Sequence, residues 1–392
     1  MAKVTIGRLN ASADADLSKV PRAFHWHTKV FSEQQSQRLP EHTVWDHAIE
    51  LLPGALALLP GRLLRLPQNE IQEILKIVAE HLSRGTIRPG IGPYAANIFF
   101  IKKKDGKLCP VQDYCLLNKW TKKNQNVSPL IPQVVDQLAG CTLFTKFNIR
   151  WGYNNIRIKE GDKWKAAFLM PEGLFEPTVM FFGLTNSPAT FQMMMNHIFH
   201  IQVAQGWLSV YMDDIAIHTK PKKGEMDEEH QKYHETLTHL VLDILEQNNL
   251  YLKPEKCNFL QKEITYLGVI VGNNKIKMDP SKLKGVVDWT LSKTPTDIQK
   301  FLGFTGYYRY FVPNYSKITR PLLDLTKKAT PWLWEAKHMR AFEKLKTRMC
   351  AAPVLSQPNF EKKFFLQVDA SGFGVGTVLL QKGEHTTPTL LK

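Results

Sequence analysis

The stretch Leu208-Ser209-Val210-Tyr211-Met212-Asp213-Asp214-Ile215-Ala216-Ile217-His218 constrains this chain more tightly than any other. Leu208, Val210 and Met212 alternate before two adjacent carboxylates, and Ile215 and Ile217 alternate after them. Period-two alternation interrupted by turn-compatible acids predicts a buried β-hairpin with Asp213 and Asp214 at its reversal. Concentrated negative charge at such a tip calls for a counter-ion. Mg²⁺, which takes carboxylate oxygens together with substrate phosphates, suits it. A solvated acidic turn is the other reading of the same residues.

Charge elsewhere points the opposite way. The 392 residues carry 51 Lys and Arg against 36 Asp and Glu, a net charge of +15. A surplus of that size fits a polyanionic partner, most often nucleic acid. It recurs along the chain at Lys102 to Lys104, Lys122-Lys123, Lys220 with Lys222-Lys223, Lys327-Lys328 and Lys362-Lys363. The length predicts two or three domains. The five cysteines, Cys109, Cys115, Cys141, Cys257 and Cys350, include no CxxC pair, so neither a disulfide framework nor a zinc site is indicated. That usage fits an intracellular setting, cytoplasmic or nuclear rather than secreted. No apolar run reaches membrane-spanning length, so no membrane partner is expected.

Local patterns place the elements. Residues 1–60 form a poorly patterned lead-in broken by Pro40, Pro53 and Pro60, and His25, His27, His42 and His47 read there as solvated loop residues. Asn69 to Arg84 reads as an amphipathic helix capped by Asn69, with Ile71, Ile74, Leu75, Val78 and Leu82 on one face and Gly85 as its stop. Ala95 to Lys102 and Lys107 to Gln112 read as strands joined by Asp105-Gly106. Phe144 to Ile149 is a strand. A helix lies within Gly183 to Gly206, capped by Ser187 with Pro188 in its first turn. Glu229 to Asn248 is a helix with a stripe of Leu237, Leu240, Val241, Ile244 and Leu245. Ile264 to Val271 is a strand broken by Gly268, and Asp297 to Tyr308 is a helix. Phe364 to Val368 and Val375 to Gln381 form a last hairpin. Strands and helices mixed without a steady βαβ rhythm define an α+β chain.

Six motifs, in order, give this pattern a family. They are Lys102-Lys103-Lys104-Asp105-Gly106-Lys107, Gln112-Asp113-Tyr114, Arg150-Trp151-Gly152-Tyr153-Asn154-Asn155, Phe182 through Gln192, Tyr211-Met212-Asp213-Asp214 and Tyr266-Leu267-Gly268. The chain resembles the polymerase region of a reverse transcriptase of the Ty3/gypsy class of long-terminal-repeat retrotransposons. The resemblance implies a right-hand polymerase with fingers and palm over 61–275, a thumb- or connection-like region over 276–360 and a truncated RNase H-like start over 361–392. It implies an RNA or DNA template with its primer and deoxynucleoside triphosphates as partners. Two Mg²⁺ ions, replaceable by Mn²⁺, would be held by three palm carboxylates.

Carried onto this chain, Asp213 and Asp214 are metal ligands. Lys103, Tyr153, Phe182, Gln192 and Lys256 are nucleotide-binding, with the Tyr153 ring excluding a 2′-hydroxyl. Leu267 and Gly268 form the primer grip, and Asp369 is the first ligand of an RNase H remnant. The other RNase H carboxylates have no counterpart here, so no RNase H activity is expected.

Three positions depart from the family pattern. The third catalytic carboxylate falls on Asn148, whose amide offers one neutral oxygen where the metals need an anionic bridge. Such a loss removes on the order of 10³-fold or more in rate. Cys109 and Cys115 stand where arginines are the pattern, the first to clamp the triphosphate and the second structural; cysteine replaces neither. The expectation is thus an RNA-directed DNA polymerase impaired in this copy. The alternatives are a catalytically dead nucleic-acid-binding relic and a non-functional truncated product.

Overall fold

A computed structural model describes residues 16–55, 67–102, 108–126, 129–290, 294–327, 330–351, 355–356, 363–371, 374–382 and 388–390. The chain forms two compact units. One comprises 1–130, 146–217 and 235–259, and the other 131–145, 218–234 and 260–392. Among the described residues no helix is long and apolar enough to cross a membrane.

The first unit is organised on a four-stranded sheet. Its strands are β1 (Leu143–Asn148), β2 (Leu208–Tyr211), β3 (Asp214–Thr219) and β4 (Asn258–Gln261), in the order β2-β3-β1-β4. Each contributes residues to this unit. β1 is central, and Phe144 and Phe147 on it are completely buried. The predicted hairpin is present, with Leu208 opposite Ile217 and Tyr211 opposite Asp214. Its two-residue reversal is Met212-Asp213, so Asp213 lies in the turn and Asp214 opens the returning strand.

Packed with this sheet are α1 (Ser187–Ile198) and the longer α2 (Asp227–Gln247). Asn186, not Ser187, occupies the cap position of α1, and Ser187 is its first helical residue. The predicted helix also breaks at Phe199 and resumes as His200–Ala204 before Gly206 at φ 77°. On α2, Leu237, Val241 and Leu245 are buried as expected. Leu240 is 42 % exposed, because Leu242 takes the adjacent buried position.

The helix predicted over Asn69 to Arg84 runs Gln68–Ser83 with Pro67 at the cap, so Asn69 is inside the helix rather than capping it. Gly85 ends it at φ 68°, a left-handed conformation that glycine adopts without a Cβ penalty. Ile74 and Val78 are buried, whereas Leu75 and Leu82 are 46 % and 40 % exposed. Asn97–Lys102 pairs with Leu108–Asp113, with Ile101 opposite Cys109. Their connecting tip lies outside the described residues.

Within the lead-in, the described residues 16–55 contribute more core than the sequence pattern implied. Phe24, Val30 and Phe31 are core residues, and the Phe24 ring stacks 5.1 Å from Phe259 of β4. Two of the histidines read as solvated are buried. His27 hydrogen-bonds His239 of α2 at 2.9 Å, and His47 hydrogen-bonds Thr190 of α1 at 3.0 Å. Burial pushes the His47 imidazole down to about 4, with Asp162 opposing the shift.

In the second unit, the predicted strand Ile264 to Val271 is instead a hairpin. β5 (Glu263–Tyr266) turns through Leu267-Gly268 into β6 (Val269–Gly272), which pairs with β7 (Lys275–Met278). Gly268 therefore marks a reversal of the chain. α3 (Pro295–Tyr307) follows, capped by Thr294, whose hydroxyl accepts from Asp297 N–H at 3.2 Å. Phe364–Ser371 and Gly374–Lys382 form the expected last hairpin.

Candidate active site

β1 and the β2–β3 turn bring three side chains together. The Asn148 amide nitrogen donates to Asp213 Oδ2 at 3.0 Å and to Asp214 Oδ1 at 3.2 Å. The main chain fixes this convergence. Ile149 N–H donates to the Asp213 carbonyl at 2.8 Å, and Lys253 N–H donates to the Asn148 carbonyl at 3.0 Å. The C-terminal end of β1, next to the site, is thereby tied both to the acidic turn and to the segment after α2.

The turn itself depends on Gln192 of α1. Met212 has φ 56°, an unfavourable region for a residue with a Cβ. Gln192 Oε1 accepts the Met212 N–H at 2.7 Å, while Gln192 Nε2 donates to the Val210 carbonyl at 3.2 Å and to Asn196 Oδ1 at 2.7 Å. The side chain assigned to nucleotide binding from sequence is 2 % exposed and fully engaged in holding the hairpin.

Beside the acids is an aromatic step. The Tyr153 ring centroid is 4.9 Å from that of Phe182 and 5.9 Å, edge-on, from that of Phe191. Phe182 is 68 % exposed, so a flat apolar surface faces solvent next to the half-buried Tyr153 ring and the buried Phe191 ring. Burial raises the Tyr153 hydroxyl above its ordinary range, followed by the negative charge of Asp213 and then Tyr211.

Two lysines that the sequence did not single out belong to this site. Lys146 Nζ lies 3.1 Å from Asp214 Oδ1. Lys253 is half-buried, and its ammonium is pushed below the ordinary lysine range by burial first and then by Lys256 and Arg150, with Asp213 opposing. Its Nζ also lies 5.9 Å from the Trp151 ring centroid, over which Arg84 stacks at 5.0 Å. Lys256, by contrast, is exposed on the short Pro254–Lys256 turn.

The remaining predicted residues lie on other elements or outside the described residues. Leu267 and Gly268 form the β5–β6 turn in the second unit at φ 48° and 81°. The Tyr307 hydroxyl donates to the Leu267 carbonyl and the Tyr308 hydroxyl to the Gly268 carbonyl. Cys115 is exposed at the start of Cys115–Trp120, and the nearby Asp113 carboxylate raises its thiol. Lys103 and the side chains of Cys109 and Asp369 lie outside the described residues.

The donor set does not fit two divalent ions. Two carboxylates are present, but the third position turns N–H donors toward both of them, and an ammonium already sits against one. Among the described residues no three His, Cys, Asp or Glu side chains are grouped to hold a metal ion.

Comparison with known proteins accounts for the architecture. Residues 101–271 match the family described as reverse transcriptase (RNA-dependent DNA polymerase), and residues 334–391 match an RNase H-like domain found in reverse transcriptase. The chain belongs to the reverse transcriptase family, in its Ty3/gypsy-class retrotransposon branch. The Transposon Tf2-3 and Tf2-7 polyproteins of Schizosaccharomyces pombe (strain 972 / ATCC 24843) are each 35 % identical to it over 317 residues, which is 81 % of this chain and 23 % of the relative. The chain thus spans about a quarter of the length of the curated relatives it matches.

Among solved structures, the foamy viral protease-reverse transcriptase in complex with RNA/DNA hybrid aligns with a TM-score of 0.70 at 21 % identity, over 90 % of this chain and 46 % of that one. A second form of the same viral protein, in complex with double-stranded DNA, aligns with a TM-score of 0.74 at 21 % identity, over 91 % of this chain and 61 % of that one. These likenesses establish the expected α+β polymerase fold.

Proposed function

We propose that this chain is an RNA-directed DNA polymerase by construction, acting on a template–primer with deoxynucleoside triphosphates, and that this copy is impaired at its metal site. The observation that carries the reading is the Asn148 amide donating to both Asp213 and Asp214. In the family pattern that position is anionic, and with aspartate there the three carboxylates would hold divalent ions, which would supply activation of the primer 3′-hydroxyl and charge stabilisation for the leaving pyrophosphate. What this chain's residues retain is the binding side of the task. The exposed Phe182 face beside Tyr153 offers a surface for the sugar and base. Lys253 and Lys146 keep positive charge close to the acids, and the net charge of +15 favours a polyanion.

Primer extension on a homopolymer template with Mg²⁺ or Mn²⁺ tests this. The unmodified chain is expected to extend on the order of 10³-fold more slowly than Asn148→Asp combined with Cys109→Arg and Cys115→Arg. Equal rates would overturn the account of the metal site.

The same amide contacts favour a second reading, a non-catalytic nucleic-acid binder. Template–primer binding by the unmodified chain that weakens steeply with salt supports that reading. Early melting with aggregation and no binding supports a non-functional truncated product.

A further inference from the structure

Lys146 and Asn148 are separated by one residue on β1, so their side chains leave the same face of the strand. Both meet the acidic pair. The Lys146 ammonium is 3.1 Å from Asp214 Oδ1, and the two side chains are only 17 % and 26 % exposed. The Asn148 amide reaches that same oxygen at 3.2 Å and crosses to Asp213 Oδ2 at 3.0 Å. Asp214 is therefore gripped by a cation and an amide together, while the Asp213 carboxylate is held by the amide and its backbone carbonyl by Ile149 N–H.

We infer that Lys146 is a positioning residue for Asp214 and, with the Asn148 amide, a built-in counter-ion that keeps the acidic pair in place without a divalent cation. The inference rests on reading Asp213 and Asp214 as the cation-binding carboxylates. Two neighbouring carboxylates in a partly desolvated site repel each other and need compensation. With aspartate at position 148 the three acids carry three negative charges, and Lys146 leaves two. With Asn148 they carry two, and Lys146 leaves one. A divalent cation then meets a site of low net charge, and one of its oxygens is already occupied. Restoring Asn148→Asp alone accordingly leaves a second brake on cation binding, the ammonium itself. This is not an exposed surface pair, where solvent cancels most of the attraction. Lys146 is anchored on the central strand and mostly covered.

Mn²⁺ serves as the probe, because its free-ion electron paramagnetic resonance signal is lost on binding. The full chain is titrated as Asn148→Asp, as Asn148→Asp with Lys146→Met, and as Asn148→Asp with Lys146→Arg, with Asp213→Asn as the blank. Removing the ammonium is expected to tighten Mn²⁺ binding about tenfold, and Lys146→Arg to restore the weaker affinity. Lys146→Gln provides a second neutral variant should the methionine protein not fold. In parallel, the unmodified chain is expected to melt at the same temperature in EDTA and in Mn²⁺. Lys146→Met is expected to melt lower in EDTA and to recover in Mn²⁺. Equal Mn²⁺ affinity of Asn148→Asp with and without Lys146 overturns the inference and leaves the cation-site reading standing. Absence of Mn²⁺ binding above the blank in every variant overturns both.

Discussion

Gln192 Oε1 accepts the Met212 N–H at 2.7 Å, and that contact connects α1 to the turn carrying Asp213. Because Met212 sits at φ 56°, the turn is held by its surroundings rather than by its own preference. Gln192→Leu leaves the Met212 N–H and the Val210 carbonyl, both interior to the hairpin, without their side-chain partner. It is expected to destabilise the protein by about 2 kcal/mol. Urea denaturation of the variant beside the unmodified chain measures this, and a change below about 0.5 kcal/mol would contradict the assigned role.

The Leu267-Gly268 turn supports a coupled prediction. Gly268 has φ 81°, and a Cβ there would lie 2.9 Å from the Tyr308 hydroxyl oxygen. Gly268→Ala therefore meets both backbone strain and a clash, at a cost of about 2–3 kcal/mol. Tyr308→Phe alone is expected to cost about 1 kcal/mol through the hydrogen bond lost at the Gly268 carbonyl. The two changes should not add, because removing the hydroxyl also removes the clash. In a double-mutant cycle the pair is expected to cost less than the sum of the singles by about 1 kcal/mol. Strict additivity would show that the tyrosine does not confine this turn.

What could be read from sequence follows from which signals are local. The Asp213–Asp214 hairpin was legible because period-two alternation is written into neighbouring residues, and the residue ranges of the longer helices followed from 3.6-residue periodicity in the same way. The β5–β6 reversal was missed because Leu267 is an unusual residue at φ 48°, and Leu-Gly lacks the Asn-Gly signature of a tight hairpin. Lys146 and Lys253 were passed over among many lysines. Nothing in their neighbours marks them, since their importance comes from which strand lies beside β1 and how the chain returns after α2. The buried His27 and His47 were misread for the same reason, as their partners His239 and Thr190 are distant in sequence. The Asn148 departure was visible at once, but its consequence, an amide bridging both acids, needed the geometry.

A buried histidine network in the second unit sets a pH dependence. His234 hydrogen-bonds Thr145 at 2.9 Å and Thr219 at 2.8 Å, His230 reaches the same Thr219 hydroxyl at 2.9 Å, and His218 faces the Cys141 thiol at 3.6 Å. Burial lowers His218 to about 4, and burial, then His230 and His218, lower His234 to about 3. Both rings are neutral in the folded chain, while the unfolded chain protonates them below about 6.5. The unfolded state therefore binds more protons between these limits, and stability is full above pH 6.5 and lost as pH falls toward 4. These two rings alone contribute roughly 2–3 kcal/mol per pH unit near pH 5, and His47, lowered to about 4 in the first unit, adds about half as much again. Denaturation midpoints between pH 7 and 5 measure it. His234→Gln is expected to flatten the dependence by about a third, and an unchanged slope would show that the network does not carry it.

The aromatic step beside the acids makes a prediction about nucleotide choice. Tyr153 is braced edge-on by Phe191 and carries the exposed Phe182 on its other contact, so its ring is held rigidly near Asp213. On the proposed polymerase reading, a ring held there would exclude a sugar 2′-hydroxyl. In the chain restored with Asn148→Asp, Cys109→Arg and Cys115→Arg, Tyr153→Ala is expected to raise ribonucleotide use relative to deoxyribonucleotide use by at least about tenfold. Tyr153→Phe, which keeps the ring and loses only the hydroxyl, is expected to leave the ratio unchanged. The comparison separates a steric role from a hydrogen-bonding one. Competitive single-nucleotide extension reads both variants, and a ratio that moves equally in the two would assign the selectivity to the hydroxyl instead of the ring.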